Sequence, residues 1–307
     1  MMKNKVTIIG AGMVGSTAAY SLIAAKSAEE VALIDVNKKL CLSQVMDLQH
    51  SVPFWGYTKV KVGSYADLKD SRIVIITCGS AQKVGETRLD LLKKNSEIIK
   101  SLIPEIFKRN PDIIVIMVTN PVDILTNIAI KLFPAKKNQI FGSGTILDSA
   151  RFKFLLGEKI AVNPNSLHAY IVGEHGDSEV PLWSTVTIGN TPLDSFFKLS
   201  VAEKDEIFKT AKNAAYTIIE GKQSTYYAIA AGLVSLVDAV LYNKKTVFTV
   251  SHQINDLFGL KGVSLSLPLV IGAKGILRDI NINLSAREKK ALKLSAKKLE
   301  EAEQGLL

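Results

Sequence analysis

Two cysteines are all that this chain of 307 residues contains. Cys41 and Cys78 have neither the clustered spacing of a metal site nor the numbers for a disulfide framework, so no metal is expected and a reducing compartment is. A disordered composition is also missing. With 47% apolar and 22% charged residues, the chain can bury a large core as one long or two ordinary domains. Membrane spans are lacking as well. The charge-free stretch from Val6 to Ala25 is interrupted by glycines at 10, 12 and 15, and a second strand-like run, Val31 to Asp35, follows it closely. It is neither a span nor a signal peptide. A soluble, cytoplasmic protein is expected.

A negative balance is absent too: the formal net charge is +9. Such a charge raises the possibility of nucleic-acid binding, but the lysines are dispersed and no aromatic stacking platform accompanies them. The densest group, Lys289, Lys290, Lys293, Lys297 and Lys298, alternates with apolar positions on the last helical segment. That is the pattern of a solvated helix face. Neither nucleic acid nor membrane is expected as a partner, while a diffuse positive field favours small anionic substrates.

What is present is an alternation of short β-branched runs with helical patterns. Strands are predicted at Val6–Ile9, Val31–Ile34, Lys59–Val62, Ile73–Thr77, Ile113–Val118 and Gln139–Phe141, with amphipathic stretches at Glu86–Arg109 and Val122–Leu132. Several of the runs are apolar on both faces, as a parallel sheet covered by helices requires. Past about Gly144 the pattern changes. A helix around Leu147–Leu156 is followed by strand-like segments at Ser166–Val172 and near Val186, Thr246 and Leu265, with long helical segments at Ala202–Asn243 and Ser285–Leu306. The reading is an α/β chain: a doubly wound parallel Rossmann sheet over residues 1–143, then an α+β substrate domain over 144–307.

Gly10-Ala-Gly12-Met-Val-Gly15 follows a strand and opens a helix. The first glycine permits a tight turn, the second lets the backbone approach a pyrophosphate, and the third allows close helix–strand packing. Asp35 ends the next strand, where a carboxylate accepts hydrogen bonds from ribose hydroxyls and repels a 2′-phosphate. NAD is therefore the expected cofactor, with Lys38 and Lys39 as nearby cations that soften the preference over NADP.

Three further clusters carry polar residues that packing does not explain. Thr77-Cys-Gly-Ser-Ala-Gln82-Lys-Val-Gly-Glu-Thr-Arg88 follows a buried strand, and Asn120-Pro-Val-Asp123 lies at another strand end. The third combines Leu147-Asp148-Ser-Ala-Arg151 with Gly173-Glu-His175-Gly-Asp177-Ser178. Strand C-termini are where ligands bind in open α/β sheets. Together with the glycine loop and Ser224-Thr225-Tyr-Tyr-Ala-Ile229, these motifs in this order closely resemble the L-lactate/malate dehydrogenase family over essentially the whole chain.

The resemblance implies NAD-dependent hydride exchange with a 2-keto acid. It assigns His175 as proton carrier, Asp148 as the carboxylate that holds its ring, and Arg151 as the guanidinium for the substrate carboxylate. Arg88 polarises the carbonyl, Asn120 bonds the substrate oxygen, and Thr225 lines the pocket. The chemistry suits each residue type: histidine carries protons near neutrality, and arginine meets a carboxylate bidentately. For NAD the resemblance adds Val14, Tyr65, Gly79, Ser101, Val118 and Asn120 to Gly10, Gly12, Gly15 and Asp35.

Within the family the position of Gln82 reads the substrate side chain, and malate dehydrogenases carry arginine there. A neutral Gln82 suits the methyl of pyruvate, because burying the second carboxylate of oxaloacetate unpaired is costly. The expected reaction is reduction of pyruvate to L-lactate, in glycolysis or fermentation. Oxidation of malate or another L-2-hydroxy acid is the alternative, and Lys83 is the cation that complicates the choice. The glycine loop begins early, so the chain is expected to be of bacterial type. That implies a homotetramer and a site for fructose 1,6-bisphosphate at Lys153 and His168, where Lys153 replaces the usual arginine and loses its bidentate fork.

Overall fold

A computed structural model describes residues 4–80, 88–256 and 259–306, and for Arg88 the backbone alone. The six strands of the first half are β1 (Lys5–Ile9), β2 (Glu30–Ile34), β3 (Lys59–Val62), β4 (Ile73–Ile76), β5 (Ile114–Met117) and β6 (Ile140–Gly142). They lie parallel in the order β3-β2-β1-β4-β5-β6. Every residue of β1, β2, β4, β5 and β6 is buried, whereas the edge strand β3 is only partly so. This is why the first group reads as continuous apolar runs.

Helices α1 (Met13–Ala24), α2 (Lys38–Trp55), α3 (Arg88–Arg109) and α4 (Val122–Leu132) connect these strands. In α4 the nine consecutive residues Val122 to Ile130 are all buried, so this helix lies inside the molecule rather than on its surface. Strand order reverses between β1 and β4, and the C-terminal ends of those two strands open a crevice there.

The second half begins with α5 (Ile146–Ile160). Short strands β7 (Leu167–His168), β8 (Ile171–Val172), β9 (Val180–Pro181), β10 (Thr187–Ile188) and β11 (Thr191–Pro192) then form two small sheets. After α6 (Leu193–Phe196), α7 (Val201–Lys222) and α8 (Tyr227–Leu241) come β12 (Thr246–Gln253), β13 (Ser264–Gly272) and β14 (Gly275–Asp279), and α9 (Ala286–Glu303) closes the chain.

Three differences from the sequence reading matter. Strands near Thr246 and Leu265, read as part of the substrate domain, are β12 and β13; with β14, which the sequence did not signal, they extend the large sheet antiparallel beyond β6, giving nine strands. The segment Ala202–Asn243 is two helices, because Gln223 adopts a left-handed conformation (φ 72°) that caps α7. The run Ser166–Val172 splits into β7 and β8, which belong to different sheets. Among the described residues no helix is long and apolar enough to cross a membrane.

Candidate active site

The glycine loop joins β1 to α1. Gly10 has φ +112°, and a Cβ there would lie 2.6 Å from both the Cys78 nitrogen and Thr77 Oγ1. A Cβ on Gly15 would lie 1.8 Å from the Gly10 carbonyl oxygen. Both positions are closed to any larger residue. Gly12 differs: no heavy atom lies within 4 Å of the corresponding point. It is also the N-cap of α1, with no side-chain hydrogen bond. A helix N-terminus with an open approach suits a pyrophosphate.

Asp35, at the end of β2, is tied to this loop. Its Oδ2 accepts from the Ala11 N–H at 2.7 Å and its Oδ1 from the Asn37 N–H at 2.8 Å. The carboxylate therefore shapes the loop while remaining partly exposed for a ribose. Lys38 Nζ donates to the Asp35 carbonyl at 2.9 Å, so one of the two nearby cations is engaged with the main chain.

Tyr65 opens the 3-10 helix Tyr65–Asp70, which the buried Lys5 ammonium anchors through Asp67 at 2.9 Å and Asp70 at 2.6 Å. The Arg109 guanidinium lies 5.6 Å from the centroid of the Tyr65 ring. Gly79 and Val118 follow β4 and β5. A Cβ on Gly79 would meet Thr119 Cγ2 at 2.7 Å, so these two loops pack directly. Buried Asn95 ties them further, accepting from Ser80 N–H at 2.8 Å and donating to the Asn120 carbonyl at 3.0 Å. Ser101 stands apart: it is exposed on α3, with its hydroxyl bonded back to the Ile98 carbonyl at 2.8 Å.

Between the halves lies a cleft of about 240 Å³, lined by Val14, Val118, Asn120, His175 and Thr225 from the sequence prediction. It is also lined by Ser143, Leu147, Ile219, Ser224 and Ile229, which sequence reasoning did not assign. Asp148 sits in the first turn of α5, 2% exposed. Its Oδ2 lies 2.5 Å from His175 Nδ1, and its Oδ1 accepts from Arg151 Nη1 at 2.8 Å. Engagement of Nδ1 leaves Nε2 as the nitrogen for the cleft.

Burial lowers the pKa of His175, but the charge and hydrogen bond of Asp148 outweigh it and push the imidazole up to about 9. Asp148 moves the other way: burial disfavours its charge, yet His175 and Arg151 hold it below the usual carboxylate range. The imidazolium–carboxylate form is thus the resting state near neutrality. Glu179, four residues on and buried, is pushed up to about 8 by burial and the Asp148 charge.

The loop carrying His175 is pinned from several elements. Gly173 has φ +89°, and a Cβ there would meet Ser295 Oγ at 2.8 Å. Ser295 accepts from Glu174 N–H at 2.8 Å, Asp123 from His175 N–H at 2.7 Å, and Lys212 Nζ donates to the Asp177 carbonyl at 2.7 Å. A Cβ on Gly176 would instead meet the Glu174 side chain first, at 3.1 Å. Gln82 lies outside the described residues. Arg88 is described as backbone, at the first position of α3.

Residues 4–142 match the family model described as lactate/malate dehydrogenase, NAD binding domain, and residues 145–305 match lactate/malate dehydrogenase, alpha/beta C-terminal domain. The chain belongs to the lactate/malate dehydrogenase family. It is 44% identical over 302 residues to the L-lactate dehydrogenase of Acetivibrio thermocellus, covering 97% of this chain and 95% of that one. It is 42% identical over 307 residues to that of Thermus aquaticus, covering 98% and 99%. Among solved structures it is similar to a lactate dehydrogenase from a Medee basin deep-sea metagenome library, with a TM-score of 0.95, 34% identity, and coverage of 100% and 99%. The minor L-lactate dehydrogenase of Enterococcus mundtii superposes with a TM-score of 0.95 at 35% identity, covering 98% of each chain.

Within this family member, Lys153 and His168 share a second hollow of about 840 Å³ together with Asn165, Tyr170 and Phe248. Burial lowers the pKa of Lys153, whose ammonium lies 5.3 Å from the centroid of the Tyr170 ring. His168 is exposed on β7.

Proposed function

We propose that this family member is an L-lactate dehydrogenase, exchanging hydride between NADH and pyruvate at the cleft around His175. The observation that carries this is the Asp148–His175–Arg151 arrangement, in which one buried carboxylate holds both an imidazolium and a guanidinium. When bound, the nicotinamide supplies or accepts hydride at its C4. The open Gly12 and the partly exposed Asp35 suit its phosphates and ribose.

His175 delivers the proton from Nε2 to the carbonyl oxygen while Asp148 holds the ring and stabilises its positive form. Arg151 pairs with the substrate carboxylate. Asn120 donates to the reacting oxygen, Thr225 shapes the pocket wall, and Arg88 stabilises charge developing on the carbonyl. Hydride and proton together convert pyruvate to L-lactate, and reversal returns the proton to His175.

Tyr65, Gly79, Ser101 and Val118 complete our assignment of the NAD site, with residues 1–143 as the cofactor domain and 144–307 as the substrate domain. Gln82 supports pyruvate over oxaloacetate, because a neutral side chain leaves a second carboxylate without a partner. The hollow at Lys153 and His168 supports fructose 1,6-bisphosphate as an effector, bound by point charges. We further assign the enzyme to the cytoplasm, where Cys41 and Cys78 stay reduced, and to a homotetramer in glycolysis or fermentation. Pyruvate saturation measured with and without the bisphosphate tests the effector, with superimposable curves excluding it. Light scattering tests the tetramer. A His175→Asn variant that still reduced pyruvate at the parent rate would overturn the catalytic assignment.

A further inference from the structure

We propose that Asp123 is a positioning residue for the proton carrier, fixing the main chain of His175 from the α4 side of the cleft. The inference rests on His175 carrying the proton. Asp123 occupies the first turn of α4, three residues after Asn120, and is 2% exposed. A carboxylate buried so fully is tolerated only when something pairs with it. Its Oδ2 accepts the His175 N–H at 2.7 Å, across 52 positions of sequence. The Ser251 hydroxyl also faces this carboxylate and favours its charged form. The charge-assisted bond at Oδ2 thus ends on the histidine loop.

The arrangement gives Asp123 two separable effects. The bond sets where the His175 backbone lies, and therefore whether its ring meets both Asp148 and the substrate. The charge adds to the field that keeps the imidazole protonated. His175 faces Asp148 from α5, Asp123 from α4 and Glu179 from its own loop, while Arg151 engages Asp148 and Glu174 opposes the ionisation of Asp123. Burial pushes Asp123 up to about 6, so it is ionised across the range where His175 loses its proton. Asn120 lies just before the N-cap of α4 and Asp123 in its first turn, so the same short segment lines the cleft and fixes the proton carrier opposite.

Asparagine keeps an acceptor for the His175 N–H but no charge, and alanine keeps neither. The test is pyruvate reduction with NADH by the full-length chain across pH, for the parent, Asp123→Asn and Asp123→Ala, with thermal unfolding of each. Asp123→Ala is expected to lose about 10- to 100-fold in kcat, the scale of a misplaced catalytic group, and Asp123→Asn to recover most of it. In both variants the alkaline limb moves down by about one pH unit, the effect of one lost neighbouring charge. A folded Asp123→Ala protein with the parent's kcat and pH profile overturns the inference. So does an Asp123→Asn protein as slow as the alanine variant with its limb unmoved. If Asp123→Ala does not fold, the limb of Asp123→Asn decides alone. Full activity in His175→Asn would instead overturn the reading beneath; an inactive His175→Asn beside an unmoved Asp123→Asn profile overturns the inference only.

Discussion

Asp148 Oδ2 lies 2.5 Å from His175 Nδ1, although 27 residues separate them in the chain. The carboxylate is almost wholly buried while about a quarter of the imidazole side chain remains exposed. The pair thus has a dry side that fixes charge and a more open side facing the cleft. Asp148→Asn removes the charge that outweighs burial, so the His175 pKa falls. We expect pyruvate reduction to drop about a hundredfold or more, within the range for losing general acid catalysis, and the alkaline limb to shift toward neutral pH.

The same pair sets a pH dependence of stability. The His175 pKa is raised from 6.5 to about 9 on folding, so its contribution is complete below 6.5 and is lost as pH rises through 9. Glu179, raised from 4.5 to about 8, has the same sign, because the folded state binds its proton more tightly. The melting temperature of the ligand-free chain is therefore expected to fall between about pH 4.5 and 9, His175 contributing above about 6.5, and Glu179→Gln to lessen the fall between about 4.5 and 8. A flat profile in the parent would contradict both assignments.

Gly12 and Gly15 separate cofactor binding from folding. A methyl group at Gly15 would run into the Gly10 carbonyl, whereas one at Gly12 meets nothing within 4 Å. Gly15→Ala is expected to lower the melting temperature of the ligand-free chain. Gly12→Ala should leave it unchanged and weaken NADH binding, as measured by fluorescence titration.

Arg151 offers a fork that lysine lacks. Arg151→Lys keeps a positive charge beside Asp148 but loses the paired bonds to the substrate carboxylate. The KM for pyruvate should rise about 10- to 100-fold, the worth of one or two charge-assisted hydrogen bonds, with a smaller effect on NADH. Equal losses for both ligands would point to a general collapse of α5.

The parallel strands were legible because burial on both faces leaves an unbroken apolar run, as in Ile73–Ile76. The edges of that logic are also visible. The break between α7 and α8 went unseen because helical residues flank it on both sides and no proline marks it; only the conformation of Gln223 does. The glycine loop, Asp35, Asp148, Arg151 and His175 stand out in the sequence because their spacing is local or recurs as short motifs. Asn95, Asp123 and Ser295 were given no role because their bonds span 25, 52 and 121 residues, and no local pattern encodes such distances. Gly79 lies in the loop after β4, packed against Thr119, and Ser101 is exposed on α3.

Substrate choice is the central claim, and it rests on a neutral side chain at Gln82. Gln82→Arg should move the preference toward oxaloacetate. The most direct test is kcat/KM for pyruvate against oxaloacetate, each with NADH and purified parent enzyme. Pyruvate is expected to be preferred by orders of magnitude, since an unpaired buried carboxylate costs several kcal/mol. A higher kcat/KM for oxaloacetate would contradict it.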